Sequence, residues 1–300
     1  MGASKKILIT GLSGFLGRAL SQELPPGAEI VGTTRSLSGG PPVDRNANWL
    51  ECDLEDPEAV AQCLDASSVE TVVHAAGEAN VDNVQRNSLA GINSNAISTM
   101  NLALACARRN IHLIYVSTNA VFSGEDAPYG EDFPANPVNH YGVVKLASER
   151  IAIDLNPQTT VVRPILMYGW SDEDGRTNPV LMTIERLRNG EQLQMVDDVV
   201  ENPLYVRECA KAIWAVIASG QLGVFHLAGA TTVNRFDLGV QTARAFGLDD
   251  SLISRVQSDA FPSIAPRPAN TTFDTTRMRD LLRLEPLSLE VGLAEMRSQE

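Results

Sequence analysis

Tyr141, Lys145 and the pair Ser117-Thr118 are the residues of this chain best equipped for chemistry. A tyrosine and a lysine four positions apart on a helix share one face, about 5–6 Å from each other. A lysine cation there favours the phenolate and draws the phenol pKa down from its reference of about 10, which suits the tyrosine to protonating a carbonyl oxygen during reduction. Thr118, at the end of an apolar run, can offer its hydroxyl to the same oxygen, and Lys145 can reach a nicotinamide ribose. A tyrosine and lysine at this spacing also describe a solvated helix face, so their weight comes from what precedes them.

What precedes them is a glycine fingerprint, Thr10-Gly11-x-x-Gly14-x-x-Gly17, entered from the apolar run Ile7 to Thr10. Gly11 suits a sharp turn off a strand, Gly14 a close approach of backbone N–H groups to a phosphate, and Gly17 close packing of helix on sheet. A pyrophosphate would sit at the positive end of the helix Phe15 to Leu24. A second strand, Glu29 to Thr34, completes one βαβ unit. At its end an acidic residue would accept from the ribose 2′-OH of NAD; here Thr34-Arg35-Ser36 offers a cation and hydroxyls suited to a 2′-phosphate, so NADP is favoured over NAD. The plainer alternative is that Arg35 opens a solvated loop running to Asn48.

The elements that must position these groups alternate. Strands are expected at Trp49 to Asp53, Val69 to Gly77, Ile111 to Thr118 and Thr159 to Tyr168, and helices at Asp56 to Asp65, Ser88 to Arg109 and Tyr141 to Asp154. The strands are apolar nearly throughout, the mark of a parallel sheet covered on both faces. The expected fold class is α/β: a Rossmann-type doubly wound parallel sheet over residues 1–168 and a smaller C-terminal substrate-binding lobe over 169–300, some of whose segments return to the sheet. In that second half helices are expected at Pro179 to Arg188, Arg207 to Ala218, Asp237 to Phe246, Thr275 to Leu284 and Leu289 to Arg297, with a strand at Val224 to Ala228.

Composition narrows the field. With 24 basic and 37 acidic residues the net charge is −13, which disfavours nucleic acid and anionic membrane surfaces as partners. Cys52, Cys63, Cys106 and Cys209 are scattered without metal-ligand or disulfide-framework spacing, as for free thiols in a reducing cytoplasm. No His/Asp/Glu grouping has metal spacing, the run Asp172-Glu173-Asp174 reads as a solvated loop, and no stretch reaches the ~20 apolar residues of a membrane span. His74 reads as a packed strand residue, as do His112 and His226.

Taken together these motifs resemble the extended branch of the short-chain dehydrogenase/reductase superfamily, also called the NAD-dependent epimerase/dehydratase type, over nearly the whole chain. Within it the chain is most similar to the dTDP-4-dehydrorhamnose reductase group, through VVHAAGEANVD (Val72 to Asp82), NSNAISTMNLALAC (Asn93 to Cys106), VSTNAVFSG (Val116 to Gly124), YGEDFPANPVNHYGVVK (Tyr129 to Lys145), VVRPILMYG (Val161 to Gly169) and RPANTTFDTTRMRDLL (Arg267 to Leu282). The resemblance implies a catalytic trio of Thr118, Tyr141 and Lys145. It implies that Gly11, Ser13, Gly14, Phe15 and Leu16 wrap the pyrophosphate, that Asp53 and Leu54 flank the adenine, and that Ala75, Ala76 and Gly77 pass beneath the adenosine. A nucleotide-sugar substrate, reduction at a 4-keto group and a homodimer follow from the same likeness.

Asn119, His140, Trp170 and Asn202 are the substrate-side candidates, with Asp197, Asp198 and Arg163 behind them. Two positions depart from the group: Asn119-Ala120 stands where an acidic and an aromatic residue are common, and Leu166 where a tryptophan is. The first also argues against a dehydratase, which needs an Asp-Glu pair after Thr118. Two other functions remain open: an epimerase of the same branch, and a non-catalytic NADP-binding regulatory subunit resembling the β subunit of methionine adenosyltransferase.

Overall fold

The computed structural model describes residues 5–38, 47–171, 177–261 and 263–300. The acidic run 172–174, Pro262 and most of the loop expected between Arg35 and Asn48 lie outside them. In chain order the first half contains β1 (Lys5–Thr10), α1 (Phe15–Gln22), β2 (Ala28–Thr34), β3 (Asn48–Glu51), α2 (Pro57–Ser67), β4 (Thr71–His74), α3 (Val81–Arg86), α4 (Ser88–Ile92), α5 (Ser98–Ala107), β5 (His112–Val116), α6 (His140–Leu155) and β6 (Thr159–Pro164). The second half continues with β7 (Met167–Tyr168), α7 (Pro179–Arg188), β8 (Leu193–Val196), β9 (Val200–Glu201), β10 (Leu204–Tyr205), α8 (Val206–Ser219), β11 (Gly223–Leu227), β12 (Val233–Asn234), α9 (Arg235–Ala245), β13 (Ile253–Val256), α10 (Thr276–Leu282) and α11 (Leu289–Arg297).

Seven strands form one parallel sheet in the order β11-β6-β5-β4-β1-β2-β3. Successive side chains of a strand point to opposite faces. On β1, Ile7 and Ile9 accordingly pack with Leu16 and Leu20 of α1 and Ile213 of α8, whereas Leu8 packs with Val60 of α2 and Leu102 of α5. Trp214 of α8 donates Nε1–H to the Leu20 carbonyl at 3.1 Å, locking α8 onto α1. The expected parallel sheet covered on both faces is thus present, and β11 joins it from the second half, with α8 and α10 packed beside it.

The remaining strands make three two-stranded pairs, β7 with β10, β9 with β12 and β8 with β13. Leu187, Leu193, Met195, Ala243 and Ile253 form a separate small core under α7 and α9. Among the described residues no helix is long and apolar enough to cross a membrane. All four cysteines are free and buried.

Several expected elements differ in detail. The strand from Thr159 stops at Pro164, because proline cannot donate to a ladder, and resumes two residues later as β7. The helix expected from Ser88 to Arg109 is interrupted by a π-helical turn at Asn93–Ile97, and α3 precedes it where no helix was expected. The turn inserts Asn95, whose Nδ2 donates to Glu78 O and Gly91 O at 3.2 and 3.0 Å. Gly77 makes room for it: at φ +151°, a Cβ there would collide with Asn95 Oδ1.

Candidate functional site

The sheet order reverses between β1 and β4, since the chain runs outward through β2 and β3 on one side and through β5, β6 and β11 on the other. In such a sheet the crevice at the carboxyl ends of those strands is where ligands bind. A cavity of about 1080 Å³ opens there, lined by Gly11, Ser13, Gly14, Thr34, Arg35, Asp53, Leu54, Ala75, Ala76 and Gly77, together with Asn93, Ser94 and Ser98 of the π-turn region.

The glycine turn is shaped for close approach. Gly11 adopts φ +73°, and a Cβ at Gly17 would overlap the Gly11 carbonyl, so only glycine lets α1 start this near the turn. Gly14 N–H is committed to Gly11 O at 2.9 Å. An anion would therefore meet the first turn of α1, which begins without a side-chain cap. Asp53 spends a carboxylate oxygen on Glu55 N–H at 3.0 Å. The uncapped α1, the missing Cβ atoms and the cation of Arg35 on one wall fit a dinucleotide.

His74 is held behind the Ala75–Gly77 wall: its Nδ1 lies 2.8 Å from Thr10 Oγ1 and its Nε2 3.2 Å from Thr99 Oγ1, while Thr10 Oγ1 also accepts from Ala76 N–H. Burial holds the imidazole neutral, down to about 3. It is a packed strand residue, as the sequence suggested.

A second cavity of about 710 Å³ adjoins the first, consecutive residues Gly14-Phe15 and Glu78-Ala79 lining one and then the other. Thr118, Asn119 and Tyr141 line it, with Leu166, Met182, Met195, Glu201, Arg235, Arg267 and Thr271. Asn139 caps α6 by accepting Gly142 N–H at 2.8 Å and donates Nδ2–H to Pro266 O at 2.9 Å. Tyr141 therefore enters the cavity in the first helical turn, where the helix's partial positive charge also favours a phenolate.

One turn on, Lys145 Nζ donates to Val116 O at 2.7 Å and lies 4.3 Å above the Tyr115 ring. Burial pulls this ammonium from 10.5 down to about 7, with the nearby Glu149 charge acting against the shift. A further turn on, Glu149 forms a buried two-point pair with Arg163, at 2.9 and 2.6 Å, and accepts from Ser117 Oγ. Arg163 thus belongs to the scaffold beneath the site.

Several expected site residues lie elsewhere. Leu16 is buried in the core under α1. Phe15 lines the second cavity instead of the first. His140 is exposed and lines neither cavity, its backbone N–H bonding Gln85 Oε1 at 3.1 Å. Trp170 packs edge-on against Phe246 and donates to Met296 O at 2.8 Å. Asn202 spends both ends of its amide on the Phe273 backbone, each at 3.0 Å. Asp197 and Asp198 bind Gln257 and Ser258. Conversely Glu201, Arg235 and Thr271 were not singled out from sequence, where no local spacing marks them.

A model of the RmlD substrate binding domain matches residues 5–300. The dTDP-4-dehydrorhamnose reductase of Mycolicibacterium smegmatis is 30% identical over 91% of this chain and 79% of its own. The methionine adenosyltransferase 2 subunit beta of Danio rerio is 28% identical over 91% and 84%. Among solved structures, a dTDP-4-dehydrorhamnose reductase from Bacillus anthracis in complex with NADP superposes with a TM-score of 0.88 at 24% identity, covering 99% of this chain and 100% of that one.

Proposed function

The chain belongs to the RmlD substrate binding domain family and is an NAD(P)-dependent oxidoreductase of the extended short-chain dehydrogenase/reductase type, and from that premise we propose that it reduces the 4-keto group of a nucleotide-activated deoxysugar, preferring NADPH to NADH. The observation that carries the reading is the meeting of Thr118 and Tyr141 in a cavity that opens onto the glycine-lined crevice.

A bound nicotinamide cofactor supplies the hydride. The protein's own groups do the rest. The first turn of α1 would hold the pyrophosphate, and Arg35 would pair with a ribose 2′-phosphate. Thr118 and Tyr141 hydrogen-bond the sugar carbonyl oxygen, and Tyr141 gives up its phenolic proton to it as C4 is reduced. Lys145, fixed on Val116 O, favours the resulting phenolate in the fraction that carries a proton. The apolar wall of Leu166, Met182 and Met195 excludes water from the reacting carbon and suits a deoxy position.

Purified protein mixed with dTDP-4-keto-6-deoxyhexoses should consume NADPH faster than NADH, seen as loss of the reduced-nicotinamide absorbance. Cofactor binding without consumption on any keto sugar would contradict the reading. The similarity to the methionine adenosyltransferase β subunit favours a second reading, a regulatory subunit. It predicts a co-purifying partner and no turnover.

A further inference from the structure

Thr118 Oγ1 donates toward Asn119 Oδ1 at 3.3 Å and accepts from Ala120 N–H at 3.2 Å. The Asn119 amide that receives it is itself held, because Nδ2 donates to Glu201 Oε1 at 3.0 Å and to Thr271 Oγ1 at 2.7 Å. Glu201, in β9, is 7% exposed, and Arg235 Nη2 at the start of α9 lies 2.5 Å from its Oε2. All six residues line the cavity that Tyr141 enters. An amide with its N–H groups committed on one side must present its carbonyl on the other, here toward Thr118. A carboxylate only accepts, so Glu201 dictates a donor at position 119.

We propose that Glu201 is a positioning residue: through Asn119 it sets the direction of the Thr118 hydroxyl. The relay Arg235–Glu201–Asn119–Thr118 carries that control from the C-terminal half of the chain to the end of β5. The proposal rests on the reading above, in which a bound sugar carbonyl takes over the single proton that the Thr118 hydroxyl donates to Asn119 Oδ1 in the ligand-free protein. The charged and titratable groups around the pair are Arg235 from α9, Tyr141 from α6, and Arg267, which is paired with Asp82 at 2.9 Å.

The test compares Asn119→Asp, Glu201→Gln and the double variant with the wild-type full chain. Asn119→Asp sets two carboxylates against each other, and such a pair holds a proton before it holds two charges. In ligand-free protein, Asn119→Asp should melt roughly 3–8 °C below wild type at pH 8 and close much of that gap at pH 5.5. In the double variant donor and acceptor are exchanged, the new amide in β9 donating to the new carboxylate beside Thr118, so most of the loss at pH 8 should be recovered. With NADPH and a 4-keto sugar, kcat of Asn119→Asp should fall at least about tenfold at pH 8 with KM for NADPH unchanged, and return to within about threefold of wild type in the double variant.

The proposal is overturned if Asn119→Asp melts and turns over like wild type at both pH values, or if adding Glu201→Gln rescues neither property. Wild-type protein inert toward every keto sugar would defeat the functional reading instead, and the melting comparison would still decide whether Glu201 controls position 119.

Discussion

Gly142 of α6 lies so close to the carbonyl oxygen of Ala120 that a Cβ on it would overlap that atom. This contact sets the distance between the two halves of the proposed catalytic pair. Thr118 caps the short 3₁₀ turn Asn119–Val121, and Tyr141 immediately precedes Gly142 on α6. Glycine is required here for approach, not for backbone freedom.

Gly142→Ala should therefore push α6 away from the Thr118 turn. We expect kcat to fall by about ten- to a hundredfold and stability by about 1–3 kcal/mol, while cofactor affinity changes little. Steady-state kinetics with NADPH titrations, beside urea unfolding, check this.

Tyr141→Phe removes the proposed proton donor and leaves the glycine crevice intact. Turnover should drop by about 10²–10⁴-fold with the dissociation constant for NADPH within about threefold of wild type. Fluorescence titration and single-turnover assays separate the two.

Arg35→Ser should erase the proposed preference for NADPH. KM for NADPH should rise about tenfold or more while KM for NADH stays nearly constant, because only the 2′-phosphate loses a partner. Parallel titrations with both cofactors measure the ratio.

Lys145 makes stability depend on pH. Its folded value of about 7 lies below its ordinary 10.5, so between these the unfolded chain binds more protons, and stability rises as pH increases through that window. The penalty for burying the charged form is fully present below pH 7. Lys145→Met should flatten the rise, read as the difference in urea midpoint between pH 7 and pH 9 for the two proteins.

The features legible in sequence are those written in local spacing. The turn at Gly11, the helix packing at Gly17 and the four-residue step from Tyr141 to Lys145 each depend on neighbours within one or two turns; the two glycines sit as that spacing suggests, and Tyr141 and Lys145 share one helix. The relay through Glu201 joins residues 82 positions apart and has no local pattern to announce it. The π-turn at Asn93–Ile97 sets Asn95 against Gly77, a contact between distant segments that periodicity cannot register. Trp170 and Asn202 sit near the site along the chain, but their side chains point to Phe246 and Phe273, and only the three-dimensional course of the second half decides that direction.

The most direct measurement is the fate of deuterium from NADPH labelled at its transferable nicotinamide C4 hydrogen, incubated with a dTDP-4-keto-6-deoxyhexose and analysed by mass spectrometry and NMR of the sugar. The account predicts one deuterium on C4 of the product for each NADPH oxidised, and loss of that label transfer in Tyr141→Phe. Recovery of unlabelled sugar with the NADPH intact, or an epimerised sugar without net cofactor consumption, would contradict it.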